Sequence, residues 1–123
     1  MKITLITGAG SGIGLSIAEK FYLENHQIIL LVKNKLQKKK LEKKFDNTRT
    51  KIFYGNLADY NYIKKISNSI KYVDNLINNA ATRNDNHLLN IKKRDFDYLI
   101  DLNFKTAFFM TQIFTKKMIK KKI

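Results

Sequence analysis

The sequence predicts an α/β fold in which a parallel sheet carries helices on its faces. Two observations lead there. Short apolar runs alternate along the chain with segments whose apolar residues recur at helical spacing. The first run also feeds directly into Thr7-Gly8-Ala9-Gly10-Ser11-Gly12-Ile13-Gly14, a stretch holding all but one of the 5 glycines. With 123 residues and no proline, the chain has the size of one small domain and no marker of a second.

Lys2 to Thr7 reads as a buried strand and Gly8 to Ser11 as a tight turn. Ile13, Ile17 and Phe21, with Ala18 and Tyr22 beside them, then recur at the spacing of a first helix. Ile28 to Val32 is a continuous apolar run, the pattern of a parallel strand covered on both faces. Leu36 to Phe45 follows as a lysine-rich amphipathic helix with a wet polar side. Lys51 to Tyr54 forms the third strand, and Gly55-Asn56-Leu57-Ala58-Asp59 turns into a helix carrying Ile63, Ile66 and Ile70. Val73 to Ile77 is the fourth strand, ending at Asn78-Asn79-Ala80-Ala81. After a polar loop, a long amphipathic helix runs from about Asp95 to Met118, with Phe96, Leu99, Ile100, Phe104, Phe108 and Ile113 as its apolar residues. This βαβ alternation predicts right-handed crossovers.

A formal charge of +14, from 24 Lys and Arg against 10 Asp and Glu, draws polyanions by long-range attraction. The lysines cluster in runs such as Lys38-Lys39-Lys40, Lys43-Lys44, Lys116-Lys117 and Lys120-Lys121-Lys122, at the ends or on the polar faces of predicted helices. No zinc-finger spacing, KH loop or aromatic-basic strand pair accompanies them, so the reading is a solvated basic surface, with nucleic acid not an expected partner. The absence of Cys removes disulfide and thiolate chemistry. His26 and His87 share no ligand pattern, so no metal is expected. Met1 to Ile6 is too short and too soon interrupted for a signal peptide, and no apolar stretch approaches a bilayer span. The expectation is a cytoplasmic protein with no membrane partner.

A glycine-rich turn between a first strand and a first helix presents backbone N–H groups, and the positive end of the helix, to a ligand above the sheet. That is an anion site suited to a pyrophosphate, and it makes the predicted sheet Rossmann-like. Gly8 supplies backbone angles closed to other residues, Gly12 and Gly14 allow ligand and neighbouring strand to approach, and the Ser11 hydroxyl can donate to phosphate. A phosphate-binding loop of the nucleoside-triphosphatase kind would need a glycine followed by a lysine where this chain has Ile13 and Gly14. ATPase and GTPase readings therefore fail.

Thr7 to Gly14 resembles the TGxxxGIG turn of the short-chain dehydrogenase/reductase family. Asn78-Asn79-Ala80-Ala81 resembles its NNAG motif, and Asp101-Leu102-Asn103 the segment bearing its active-site Asn. Within the family, Thr82-Arg83-Asn84-Asp85-Asn86-His87-Leu88-Leu89 is similar to the loop of the 3-oxoacyl-acyl-carrier-protein reductases, the ketoreductases of fatty acid synthesis. The resemblance implies that Gly8, Ser11, Ile13 and Gly14 line the pyrophosphate, that Asn56 and Leu57 border the adenine, and that Asn79 and Ala80 border the nicotinamide ribose. It gives Asn103 a supporting role in holding a proton relay. Two positions depart from the family: Asn56 stands where Asp is common, and Ala81 where the motif has Gly.

Family members that use NAD end the second strand with an acidic residue for the ribose hydroxyls. Here that position is Val32, followed by Lys33 and Asn34. A lysine attracts a 2′-phosphate, so NADPH is expected over NADH. The family's proton donor is a Tyr in a Tyr-x-x-x-Lys pair, assisted by a Ser, all beyond the start of a fifth strand. The chain stops at Ile123, on the helix before that strand, and Tyr60 with Lys64, the one Tyr-x-x-x-Lys spacing present, opens the third helix and reads as a surface pair. Residues 1–123 are thus expected to be the N-terminal dinucleotide-binding portion of a single reductase domain, truncated before the fifth strand and inactive alone. A completed protein would reduce a small-molecule or acyl-carrier-protein-bound 3-oxoacyl thioester. Completion would come from a C-terminal half, and pairing into a homo-oligomer would cover apolar surface. The alternative is a non-catalytic NAD(P)-binding or regulatory module.

Overall fold

The structure, a computed structural model, describes residues 1–122; Ile123, assigned from sequence to the last helix, lies outside them. Four strands, β1 (Ile3–Thr7), β2 (Gln27–Val32), β3 (Thr50–Tyr54) and β4 (Asn75–Ile77), form one sheet in the order β3-β2-β1-β4. All neighbours run parallel, with Leu5 opposite Ile29 and Leu76, and Leu30 opposite Ile52. The order steps outward from β1 to β3, then reverses to place β4 on the other side of β1. Such a reversal opens a crevice at the carboxyl ends of the strands.

Helices α1 (Gly12–Leu23), α2 (Lys35–Lys44), α3 (Tyr60–Asn68), α4 (Lys93–Ile100) and α5 (Thr106–Lys122) connect or follow the strands. Because β1 and β2 are buried on both faces, adjacent residues feed different cores. Ile6, Ile28, Leu30 and Val32 pack with Ala18, Leu41 and Phe45 on the α1 and α2 side. Leu5, Ile29 and Leu31 pack with Ile63, Leu102, Met110 and Phe114 on the other. That division is why β2 reads as an unbroken apolar run.

Local chemistry sets the boundaries. Helix α1 ends in a Schellman arrangement: His26 N–H donates to Phe21 O and Asn25 N–H to Tyr22 O, both at 3.1 Å. Asn25 takes the left-handed position at φ 65°, where Asn is tolerated better than most residues. Asn34 caps α2 by accepting from Gln37 N–H at 2.9 Å, and Asp59 caps α3 through Asn61 N–H at 2.9 Å.

Two expectations are corrected. The fourth strand begins at Asn75, not Val73, because Val73 turns fully into the core while the Asp74 carboxylate accepts the Ile3 N–H at 2.7 Å. The predicted long helix is two helices, starting at Lys93, with a π-helical turn at Asp101–Lys105 between them. There the Thr106 N–H reaches Asp101 O, and the buried Thr106 hydroxyl lies 2.6 Å from Leu57 O and 2.9 Å from Asp101 O. The inward face is Leu102, Thr106, Met110 and Phe114. Phe96, Ile100, Phe104 and Phe108, expected on the apolar side, are exposed instead.

Candidate functional site

The carboxyl ends of all four strands surround one cleft of about 600 Å³, a size suited to a small molecule. Gly8, Gly10 and Ser11 come from the turn after β1 and Lys33 from the end of β2. Asn56 and Leu57 follow β3, and Asn79, Ala80 and Ala81 follow β4. Tyr98 and Leu102 close the side nearest α4.

Hydrogen bonds and close packing hold the floor. Thr7, 1% exposed, accepts through Oγ1 from the N–H groups of Asn79 at 3.0 Å and Ala80 at 2.9 Å. The Asn79 side chain donates to Gly8 O at 3.0 Å, and Gly8 N–H donates across to Leu31 O at 2.9 Å. Gly8 adopts φ +67° and Gly12 φ +55°, the left-handed region. Gly14 serves close approach: a Cβ there would stand 2.2 Å from Gly8 O and 2.4 Å from Asn79 Nδ2.

Above this floor lie groups with unspent capacity. Ser11 occupies the N-cap of α1 in extended conformation, yet its side chain makes no capping bond. The first helical bond runs from Leu15 N–H to Ser11 O at 3.2 Å, so the N–H groups of Gly12, Ile13 and Gly14 precede the helix's own acceptors. Together with the helix dipole they favour an anion. A Cβ on Gly12 would meet nothing within 4 Å, which leaves room for a ligand. The cleft thus fits a phosphate-bearing ligand at its glycine end.

The structure therefore gathers Gly8, Ser11, Lys33, Asn56, Leu57, Asn79 and Ala80 at one cleft. Gly12 and Ile13 line a separate groove along α1, and Gly14 is buried. Asn56 Oδ1 accepts from Ala58 N–H at 3.0 Å; since a backbone N–H can only donate, the amide NH₂ is the end left over. Asn103 stands in the π-helical turn and lines a different groove. It acts on the cleft through Thr82, accepting from its N–H and donating to its carbonyl, each at 2.7 Å.

Tyr60 lies away from the cleft, edge-on to Phe109 at 4.8 Å with Lys64 Nζ 5.6 Å from its ring centre. His26 bonds to Thr4 Oγ1 at 2.8 Å, and His87 accepts from Leu89 N–H at 3.4 Å. Sequence reasoning missed Tyr98, Thr82 and Gln37, which all line the cleft. Gln37 Oε1 accepts the Lys33 N–H at 3.2 Å, and its carboxamide lies over Gly10. The available signal was Asn34-Lys35-Leu36-Gln37, a cap residue followed three positions later by Gln.

Residues 2–123 match the family described as short chain dehydrogenase. The chain is 33% identical over 121 residues to the 3-oxoacyl-acyl-carrier-protein reductase FabG of Rickettsia prowazekii, covering 98% of this chain and 50% of that protein. Among solved structures, a 4-hydroxyisoleucine dehydrogenase complexed with NADH is similar at TM-score 0.86 and 25% identity, with 100% of this chain and 52% of that one covered. L-sorbose reductase from Gluconobacter frateurii, complexed with NADPH and L-sorbose, shares the fold at TM-score 0.88 and 22% identity, with 98% and 48% covered. The chain spans about half the length of the relatives it matches. Among the described residues, no helix is long and apolar enough to cross a membrane.

Proposed function

The chain belongs to the short chain dehydrogenase family, and from that premise we propose that it is the dinucleotide-binding portion of an NADPH-dependent reductase of 3-oxoacyl thioesters. The observation that carries this reading is the unspent donor set at the glycine end of the cleft: the Ser11 hydroxyl and the first N–H groups of α1. Gly8, Ser11, Gly12, Ile13 and Gly14 form the pyrophosphate end. Asn56 and Leu57 border the adenine, and Asn79 and Ala80 the nicotinamide ribose. Lys33 at the end of β2 favours a 2′-phosphate. The thioester substrate, carried by an acyl-carrier protein, is supported by the similarity to FabG.

The chemistry supplied by a bound nicotinamide is hydride transfer to the keto carbon, which requires a proton at the keto oxygen. Among the described residues Tyr98 is the tyrosine lining the cleft, and Leu102, not a lysine, stands four positions on. The residues here therefore bind and orient, while Asn103 holds the Thr82 loop beside the reacting end. We read the 123 residues as incompetent for turnover without a tyrosine, lysine and serine from further chain or a second polypeptide. The exposed Phe104 and Phe108 suit pairing with a second copy, and the proposed compartment is the cytoplasm.

Calorimetric titration with NADPH and NADH, with circular dichroism on the same sample, tests the proposal. Saturable binding is expected, tighter for NADPH. Lys33→Ala should weaken NADPH by about tenfold and NADH little, the size of one charge-assisted contact. A folded chain that binds neither dinucleotide would overturn the proposal.

A further inference from the structure

The cleft at the carboxyl ends of the strands has a counterpart at their amino ends, a hollow of about 840 Å³, within the size range of small-molecule sites. Ile3, Gln27 and Lys51 reach it from the starts of β1, β2 and β3. The segment after α3, Ser69 to Tyr72, and the last turns of α5 complete its wall. Two kinds of side chain line it. Ile3, Ile29 and Ile70 belong to the core that the sheet shares with α3 and α5, so the base is apolar. Five lysines, Lys51, Lys71, Lys117, Lys120 and Lys121, line the same hollow, and no Asp or Glu does so among the described residues. The lysine runs of α5, expected from sequence to be a wet face, thus meet lysines distant in sequence around one concave surface.

The negative groups of this region are already engaged. Carbonyls at the end of α3 would repel an anion, but the Lys117 ammonium donates to Ser67 O and Ile70 O. The Asp74 carboxylate accepts the Ile3 N–H at 2.7 Å and the Tyr72 hydroxyl at 2.9 Å. Lys121 Nζ stands 3.8 Å from the centre of the Tyr72 ring. Lys51, Lys71 and Lys120 are exposed and pair with no carboxylate among the described residues. The hollow therefore carries uncompensated positive charge over an apolar base. An inorganic anion would leave that base wet, and an uncharged chain would leave the lysines repelling one another.

We propose that this hollow binds an anionic amphiphile, a single apolar chain ended by a carboxylate or a phosphate, with its head among the lysines and its chain against Ile3, Ile29 and Ile70. The site lies at the opposite end of the strands from the dinucleotide cleft, so the inference does not rest on the proposed function. Lysine suits the task because its stem can cover the apolar chain while its ammonium meets the head in water.

Calorimetric titration of the chain with dodecanoate and dodecyl phosphate, below their micelle-forming concentrations and with circular dichroism to confirm folding, tests the proposal. Saturable binding at one site is expected for both. Octanoate should bind more weakly than dodecanoate, by up to about fourfold for each buried methylene lost. Replacing Lys51→Gln and Lys120→Gln together should weaken dodecanoate by about fivefold to tenfold. Replacing Lys39→Gln and Lys43→Gln, which removes the same charge from exposed positions of α2, should change it less than about twofold. If dodecanoate does not bind, or binds no better than octanoate, or if both lysine pairs weaken it equally, the inference falls. Dodecanoate that competes with NADPH would lie in the cleft and overturn it too. Sedimentation with vesicles of phosphatidylglycerol and phosphatidylcholine separates a free amphiphile from a bilayer: capture by vesicles without binding of dodecanoate would refute the hollow in favour of a membrane surface.

Discussion

Replacing Thr7 by Val tests whether one buried hydroxyl ties the two sides of the cleft together. Valine matches threonine in shape, so no cavity is left, and its β propensity suits β1. What changes is that a methyl group replaces the oxygen accepting from Asn79 N–H at 3.0 Å and Ala80 N–H at 2.9 Å. An unpaired buried donor costs about 1–3 kcal/mol. Asn79 and Ala80 are half-buried, so water reaches them in part and the low end applies, for a total of about 2 kcal/mol. An unfolding entropy of about 2.1 cal/mol/K per residue gives this 123-residue chain about 0.26 kcal/mol/K, so Tm falls by about 8 °C. Thr7→Ser keeps the oxygen and loses a methyl, a cost of about 1 kcal/mol. Urea denaturation followed by circular dichroism measures both. A Thr7→Val protein as stable as Thr7→Ser, or more so, would refute the idea that the hydroxyl is the tie.

Gly14→Ala places a Cβ 2.2 Å from Gly8 O, a backbone atom that cannot step aside, and should cost about 3 kcal/mol or more. Gly12→Ala meets open space and bears only the left-handed backbone cost of about 1–2 kcal/mol; the opposite ranking in denaturation would show that the turn is packed differently. Asp74→Asn probes pH dependence. The Ile3 N–H foremost, then the Tyr72 hydroxyl and the Lys121 and Lys2 ammoniums, outweigh the cost of burial and hold the Asp74 carboxyl below the ordinary aspartate value. A carboxyl depressed in the folded state contributes stability that is full above the unfolded value of about 4 and is lost as pH falls through the folded one. The Tm gap between wild type and Asp74→Asn should therefore be widest near neutrality and narrow below about pH 4, and a gap constant across that range would remove Asp74 from the account.

The parts of the fold legible in the sequence are those fixed by local sterics or by burial on both sides. Gly8 and Gly12 mark the turn because their backbone angles exclude most side chains, and β2 announces itself because Ile28, Leu30 and Val32 feed one core while Ile29 and Leu31 feed the other. What escaped depends on contacts distant in sequence. The late start of β4 follows from Asp74 reaching Ile3, a partner 71 residues away. The inward face of α5 was misassigned because the segment is apolar on two sides. Phe104 and Phe108 repeat at the same spacing as Met110 and Phe114, and only the sheet decides which pair is buried. Gln37 was missed for another reason: apart from its place three positions after the Asn34 cap, a glutamine in a lysine-rich helix breaks no periodicity, and its importance comes from the bare Gly10 beneath it.

The residues that make the family motifs recognisable are also the ones that the scaffold uses. Thr7, Gly8, Gly14 and Asn79 spend their hydrogen bonds and their lack of side chains on joining β1 to β4. They would be retained by a chain that bound nothing, so their presence alone does not separate a working cleft from inherited architecture. The discriminating positions are those without structural employment. Ser11 sits where a cap belongs and caps nothing, Gly12 opens onto empty space, and Lys33 contributes only its backbone N–H to the fold, to Gln37. A scaffold relieved of ligand binding would gain by giving Ser11 a capping bond, worth about 1 kcal/mol, and by closing the cleft around Lys33 and Gln37. That Ser11, Lys33 and Gln37 border one cleft is the physical reason to look there for a dinucleotide.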